Sequence, residues 1–228
     1  MLVDLGIDTA ADDASLALMR GDEVIAQHAW HVDTTMSQEL LAQLDALLVG
    51  AGVTRDQIAS IAVTTGPGQY GAVRTGVATA QGLALALDVP LAGIGRFEAD
   101  AELHLVPGRT VIATHDAGRA GIAWAAYTQD AAGEAPRCVV LPNIASADEL
   151  VRLAPTPATW CGETNDELRA ARDTARRSGD TDAQTPAGGR AAALVRIARA
   201  RQAYGDPALV DAFYLRPPSI TRAKPREV

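Results

Sequence analysis

Apolar residues recur with the short period of extended chain over residues 2–8, 15–20 and 23–30, and the last two runs flank Gly21-Asp22. Alternate side chains of a strand share a face, and a glycine-acid pair between two such runs signals a hairpin. Three strands are therefore predicted to open the chain. The period then lengthens: Leu40, Leu41, Leu44, Leu47 and Leu48 repeat at helical spacing, Thr35 and Gln38 stand before them at capping-box separation, and Gly50 and Gly52 follow. That pattern predicts a helix with a marked start and stop. Residues 58–64 predict a strand, 72–87 a second helix and 90–95 a short strand. The second half repeats the order more faintly, with strands at 110–115, 122–128 and 137–141, a helix near 146–153, a strand at 158–161 and a helix at 190–204.

Each half thus reads βββαβα. Two such units in succession predict an α/β protein of the actin-like, sugar-kinase-like (RNase H-like) architecture, whose two subdomains face each other across a cleft. The expected subdomains are 1–102, carrying the partner-binding helices, and 103–228. Residues 172–189 are rich in Asp, Thr, Gly, Arg and Ser and almost without large apolar residues, so they predict a loop or mobile insert. Residues 217–228 form a basic, proline-rich tail on an otherwise acidic chain.

The junction between the 58–64 strand and the helix after it carries the most information. Gly66, Pro67 and Gly68 make a tight loop at a helix mouth, where backbone N–H groups suit an anion or the close approach of another backbone. Along the helix Ala72, Gly76, Ala80 and Ala84 recur every four positions and predict a nearly bare ridge.

Composition narrows the function classes. A net charge of −8 over 228 residues argues against a free-standing nucleic-acid binder, so any RNA role is expected to run through a partner. The two cysteines, Cys138 and Cys161, form no CxxC or other cluster, and no run approaches the roughly 20 apolar residues of a membrane span. A cytoplasmic protein beginning directly with a strand, without a basic leader, is the expectation.

Several segments together resemble the TsaB (YeaZ) family. They are Gly6-Ile7-Asp8-Thr9-Ala10, Ser37-Gln38-Glu39-Leu40-Leu41, the long block from Gly66 to Ala84, Leu91-Ala92-Gly93-Ile94, Thr114-His115-Asp116-Ala117-Gly118-Arg119, and Tyr214-Leu215-Arg216-Pro217-Pro218. The resemblance implies a non-catalytic scaffold or activator subunit for making threonylcarbamoyladenosine in tRNA. Its implied partners are the transferase TsaD in a heterodimer, TsaE with ATP, and tRNA through the complex, with a homodimer when isolated. TsaD carries a His-x-x-x-His metal pair where this chain has Arg96 and Asp100. A guanidinium cannot ligate a metal, so the resemblance implies neither a metal, a cofactor nor a catalytic residue here. The positions expected to meet the partner are Leu40, Leu44, Gly76, Thr79, Ala80 and Leu83, with a Gly76→Leu change expected to push the partner helix away. The chain departs from the family pattern at Met36, Gln69, Tyr70, Gly71, Ala72 and Gln81.

Other chemistries find less support. The carboxylates of Asp8, Asp12 and Asp13 would repel a triphosphate unless a divalent ion intervened, which weighs against an actin-like kinase or acyl transferase. A glycoprotease-like metallopeptidase lacks a metal set: His28 and His31 point to opposite faces of a strand, and His104 and His115 stand alone. Ser15, Ser37 and Ser60 lack the Gly-x-Ser-x-Gly elbow of a serine hydrolase. The basic tail is expected either to solubilise the chain or to touch tRNA within a complex.

Overall fold

The computed structural model describes residues 2–32, 35–186 and 188–216. Strands β1 (Val3–Asp8), β2 (Asp13–Arg20) and β3 (Glu23–His31) precede helix α1 (Met36–Ala51), strand β4 (Ile58–Gly66), helix α2 (Tyr70–Leu87) and strand β5 (Leu91–Gly95). They form one sheet in the order β3-β2-β1-β4-β5, antiparallel from β3 to β1 and parallel from β1 to β5. After α3 (Arg96–Glu102), strands β6 (Thr110–Asp116), β7 (Ile122–Thr128) and β8 (Arg137–Ala145), helix α4 (Ala147–Leu153), strand β9 (Ala158–Gly162), helix α5 (Asp166–Ala175) and strand β10 (Thr181–Asp182) repeat the arrangement. The second sheet runs β10-β9-β6-β7-β8, the same topology as the first. Helix α6 (Gly189–Arg201) is the last α-helix among the described residues.

The apolar stripes decide how these pieces stack. Leu40, Leu44, Leu47 and Leu48 of α1 and Val73, Val77, Ala80 and Ala84 of α2 bury against Val3, Leu5, Ile7, Ile61 and Val63 on one face of the first sheet. The other face, with Ala17, Met19, Ala62, Ala92 and Ile94, is covered by α6 through Ala191, Leu194, Val195 and Ala198. Helix α3 turns Phe97 and Ala101 onto Val111, Ala113, Ala125 and Tyr127 of the second sheet. On that sheet's far face Trp124 and Trp160 pack with α4 and α5. The result is five layers, helices outside and between two sheets.

Three expectations change. First, α6 belongs with the first sheet and not with the second half, so the division 1–102/103–228 does not follow the packing; the helix that matches α2 in the second half is α5. Second, the stretch 172–189 contains the end of α5, the edge strand β10 and the start of α6. Arg177 fastens it by donating to the carbonyls of Val151, Ala154 and Pro155 and to Asp180, whose carboxylate also accepts from Trp160 Nε1 at 2.7 Å. Third, Thr35 is the N-cap of α1 but makes no side-chain cap bond; its hydroxyl pairs with that of Ser37 at 3.3 Å. The capping box at this helix does not form. The 217–228 tail lies outside the described residues.

Candidate functional site

Asp8 ends β1 at the seam between the two halves and is fully buried. One carboxylate oxygen accepts from Thr64 Oγ1 at 2.6 Å and from the Ala10 amide at 3.2 Å, and the other from Arg190 Nε of α6 at 2.5 Å. Burial alone would raise its pKa, but the Arg190 charge and the Thr64 hydrogen bond hold it below the usual aspartate value. Arg190 reaches on to Asp100 Oδ1 at 3.3 Å, which also accepts from Thr185. Asp100 in turn lies 3.7 Å from Arg96 Nε one turn earlier on α3. Arg96, itself buried, donates to the carbonyl of Ala10 at 3.1 Å and pairs with Glu163, which pairs with His115 Nδ1 at 2.7 Å. Burial would raise the Glu163 carboxyl too; the His115 hydrogen bond and the Arg96 charge instead hold it far below its usual range.

Carboxylates and arginines thus alternate from the first sheet, across α6 and α3, to the end of the second sheet. Two arginines of the chain itself, Arg190 and Arg96, pair with the three carboxylates of Asp8, Asp100 and Glu163. Asp8 is fully buried, and both of its oxygens accept hydrogen bonds from within the chain. Arg96 and Asp100 form a buried ion pair, and since a guanidinium cannot ligate a metal those residues do not fit a metal ion. None of the sequence signals joined Arg190, Glu163 and Thr64 to Asp8, because they lie far apart in the chain and meet only when the sheets stack.

The Gly-Pro-Gly loop meets backbone. A Cβ on Gly68 would stand 2.2 Å from the Ala10 carbonyl oxygen, and one on Gly66, at φ 110°, would stand 2.6 Å from that of Phe213. Only glycine permits those approaches, and Pro67 joins Gly66 through a cis bond.

The predicted interface positions divide. Leu40, Leu44, Gly76 and Ala80 are buried within the chain, and a Cβ on Gly76 would come within 2.1 Å of Thr9 Oγ1. The ridge of Ala72, Gly76, Ala80 and Ala84 therefore seats α2 on its own sheet, and Gly76→Leu would clash with Thr9 before it met any partner helix. Thr79 and Leu83 are half-buried. The open side of α2 is instead Gly71, Arg74, Ala78, Gly82 and Leu85, and nothing lies within 4 Å of a Cβ placed on Gly71 or Gly82. On α1 Leu41 is 54% and Val49 75% exposed, and on α2 Leu85 is 67% exposed. These large apolar residues lie outside the buried stripe, which is the signal that could have marked them.

The departures from the family pattern have local partners. Met36 is buried at the start of α1. Gln69 Nε2 donates to Asp12 at 3.4 Å, Tyr70 Oη accepts from Arg74 at 2.6 Å, and Gln81 Nε2 donates to the carbonyls of Pro207 and Val210 at 3.0 and 2.9 Å. Elsewhere His28 stacks on Trp30 and His31 pairs with Asp13. Cys138 is exposed and Cys161 buried, both as free thiols. Among the described residues no helix is long and apolar enough to cross a membrane.

Comparison with known proteins adds a family to this geometry. The family model described as TsaD, tRNA N6-adenosine threonylcarbamoyltransferase, matches residues 31–153. The tRNA threonylcarbamoyladenosine biosynthesis protein TsaB of Bacillus subtilis is 33% identical over 94 residues, 41% of this chain and 41% of that protein. Its namesake in Escherichia coli is 32% identical over 146 residues, 61% of this chain and 63% of that protein. The matches thus span less than two thirds of these relatives' length. YeaZ from Pseudomonas aeruginosa superposes with a TM-score of 0.73 at 23% identity, covering 94% of this chain and all of that one. The duplicated βββαβα topology is that of the actin-like fold. The family model described as TsaD lies over more than half of the chain, so the chain belongs to the family that model describes, and its relatives there include the proteins named TsaB in Bacillus subtilis and Escherichia coli.

Proposed function

We propose that this protein is a non-catalytic subunit of a bacterial tRNA N6-threonylcarbamoyladenosine synthesis complex, and that it binds and organises a TsaD-type transferase. The relatives' names supply the pathway. The observation that carries the scaffold reading is the seam: the place where an actin-like enzyme would hold its reactants is filled by the protein's own alternating carboxylates and arginines. What is left for function is surface. The exposed apolar residues Leu41 and Val49 of α1 and Leu85 of α2 are of the kind that seek cover.

In this reading the transferase pairs through the α1/α2 face, TsaE acts on the assembly with ATP, and tRNA is bound by the complex, with the 217–228 tail as a contact for it. Binding to the productive transferase conformation more tightly than to others would shift its population. A homodimer through the same face is the state of the isolated chain, and a reducing cytoplasm is the setting. Thr79 and Leu83, half-buried at the margin of the face, remain contact positions.

The test is to mix the purified chain with the TsaD homologue of the same organism and measure mass by size-exclusion chromatography with light scattering. A one-to-one heterodimer that replaces any homodimer is expected. Absence of association between two folded proteins, with TsaE and ATP present, would end the scaffold assignment.

A further inference from the structure

After α6 the chain does not stop at the sheet it has covered. Residues 203–216 run back along the first half as a strap, fixed there at three places. Gly205 and Leu91 exchange backbone hydrogen bonds of 3.0 Å in both directions, so the strap starts as a partner of β5. Gln81 Nε2 of α2 then donates to the carbonyls of Pro207 and Val210 at the two ends of a short turn. Last, the Phe213 amide donates to the Thr65 carbonyl at 2.7 Å. Two glycines of the first sheet make room for this course. A Cβ on Gly93 would stand 2.9 Å from Val210 Cγ1, and one on Gly66 would stand 2.6 Å from the Phe213 carbonyl oxygen.

Past Phe213 the strap changes sides. The Tyr214 ring lies 4.9 Å from that of Tyr70, still on the first half. Leu215, however, packs against the core of the second half, the cluster that holds Val111, Ala113, Ala123 and Tyr127. Tyr214, Leu215 and Arg216 line a cleft of about 210 Å³ whose other walls include Pro67, Gly68 and Tyr70 of the first half and His115, Ala123 and Ile144 of the second. His115 is also the last member of the ladder of ion pairs, so the strap reaches the place where that ladder meets the cleft. Phe213, two residues earlier, stays 44% exposed.

Bodies that hinge about a cleft are held closed by whatever touches both walls at once. Here three successive residues of the chain itself do so. We propose that the strap is an intramolecular clasp: anchored on the first half from Gly205 to Phe213, it seats Leu215 in the second half and thereby sets the angle between the two. Unseating it would expose Leu215 and the apolar wall at Ala123 and Ile144 to water, and that cost keeps the clasp shut. The clasp works whatever partner meets the outer helices.

The test is a distance between the halves, measured on the full chain by pulsed electron double resonance. One spin label sits on the exposed thiol of Cys138 in β8 and one on the cysteine introduced by Ala42→Cys on the exposed side of α1; Cys161 is buried and escapes labelling. Amide hydrogen exchange at Phe213 reports in parallel whether the strap keeps its anchor on Thr65. The labelled parent should give one narrow distance and a protected Phe213 amide. Leu215→Ser is expected to shift part of the molecules to a second, longer distance while Phe213 stays protected. Leu215→Ala should give the same shift in a smaller fraction, and takes the place of Leu215→Ser if that variant does not fold. Leu215→Met should keep the single distance, and so should Phe213→Ser, which removes an exposed side chain of the same strap. A single unchanged distance in the folded Leu215→Ser or Leu215→Ala protein would overturn the clasp. Equal opening by Leu215→Met or Phe213→Ser, or a Phe213 amide freed by Leu215→Ser, would do the same, since each would place the hold elsewhere than at Leu215.

Discussion

The two halves share one topology and put it to different uses. In the first, α1 and α2 are 16 and 18 residues long, and α2 is so poor in large side chains that it lies close on its own sheet and leaves a bare outer side. In the second, α4 and α5 are 7 and 10 residues long, and α5 buries only Leu168 while Asp166, Glu167, Arg169 and Asp173 face water. The second sheet compensates with large rings, Trp124 and Trp160, the latter stacked under the guanidinium of Arg172 at 4.4 Å. Strand pairing therefore sets the architecture, and the outer helices are free to differ: one pair exposes Leu41, Val49 and Leu85, while α5 exposes mainly charge.

The sharpest way to break this comparison is to cut the bond between the halves. Arg190→Met would leave Asp8 and Asp100 buried without their shared counter-charge, and a loss of about 3–5 kcal/mol is expected in urea denaturation. A variant as stable as the parent would show that the seam contributes nothing. Next comes Gly76→Leu, where overpacking against Thr9 should cost roughly 1–3 kcal/mol in the isolated chain. A lowered melting temperature in the absence of any partner is the readout, and an unchanged one would return Gly76 to the docking face.

Helix starts separate the halves on a smaller scale. Asn165 caps α5 by accepting from the Leu168 amide at 2.9 Å, so Asn165→Ala should cost about 1 kcal/mol. Thr35→Ala, at a cap with no side-chain bond, should fall well short of that; equal losses would contradict the difference. The smallest effect is pH-dependent. Because the folded Glu163 carboxyl titrates below its ordinary value near 4.5, its contribution is complete above that value and is lost as pH falls through the lower folded pKa. The parent should therefore lose stability between about pH 5 and pH 2 more steeply than Glu163→Gln, measured by denaturation across that range. Parallel curves would remove the Glu163 contribution.

Much of the fold was legible because most elements are long or strongly periodic. Strand β7 has the predicted bounds, and α2, β4 and β9 differ from theirs by a residue or two at an end. What escaped notice was short or charged. Helix α3 reads Arg96-Phe97-Glu98-Ala99-Asp100-Ala101-Glu102, and nothing local says that two of those charges are buried as a pair. Helix α5 has too few apolar residues to show a stripe. Strand β8 continues through Pro142, which an edge strand tolerates. The place of α6 could not be read from order along the chain, since its alanine-rich face fits either sheet. Helical periodicity reports the side that faces the chain's own core, so Leu40, Leu44, Gly76 and Ala80, picked out by that period, are buried within the chain.

The return of α6 to the first sheet has a consequence for synthesis. The last strand of that sheet ends at Gly95, but the helix that covers its second face begins at Gly189. On the ribosome the first sheet must wait, with Ala17, Met19, Ala62, Ala92 and Ile94 uncovered, until residues 189–201 have emerged. A nascent chain arrested before Gly189 should accordingly bind chaperones through that face, and the first half, though made first, can be finished only last.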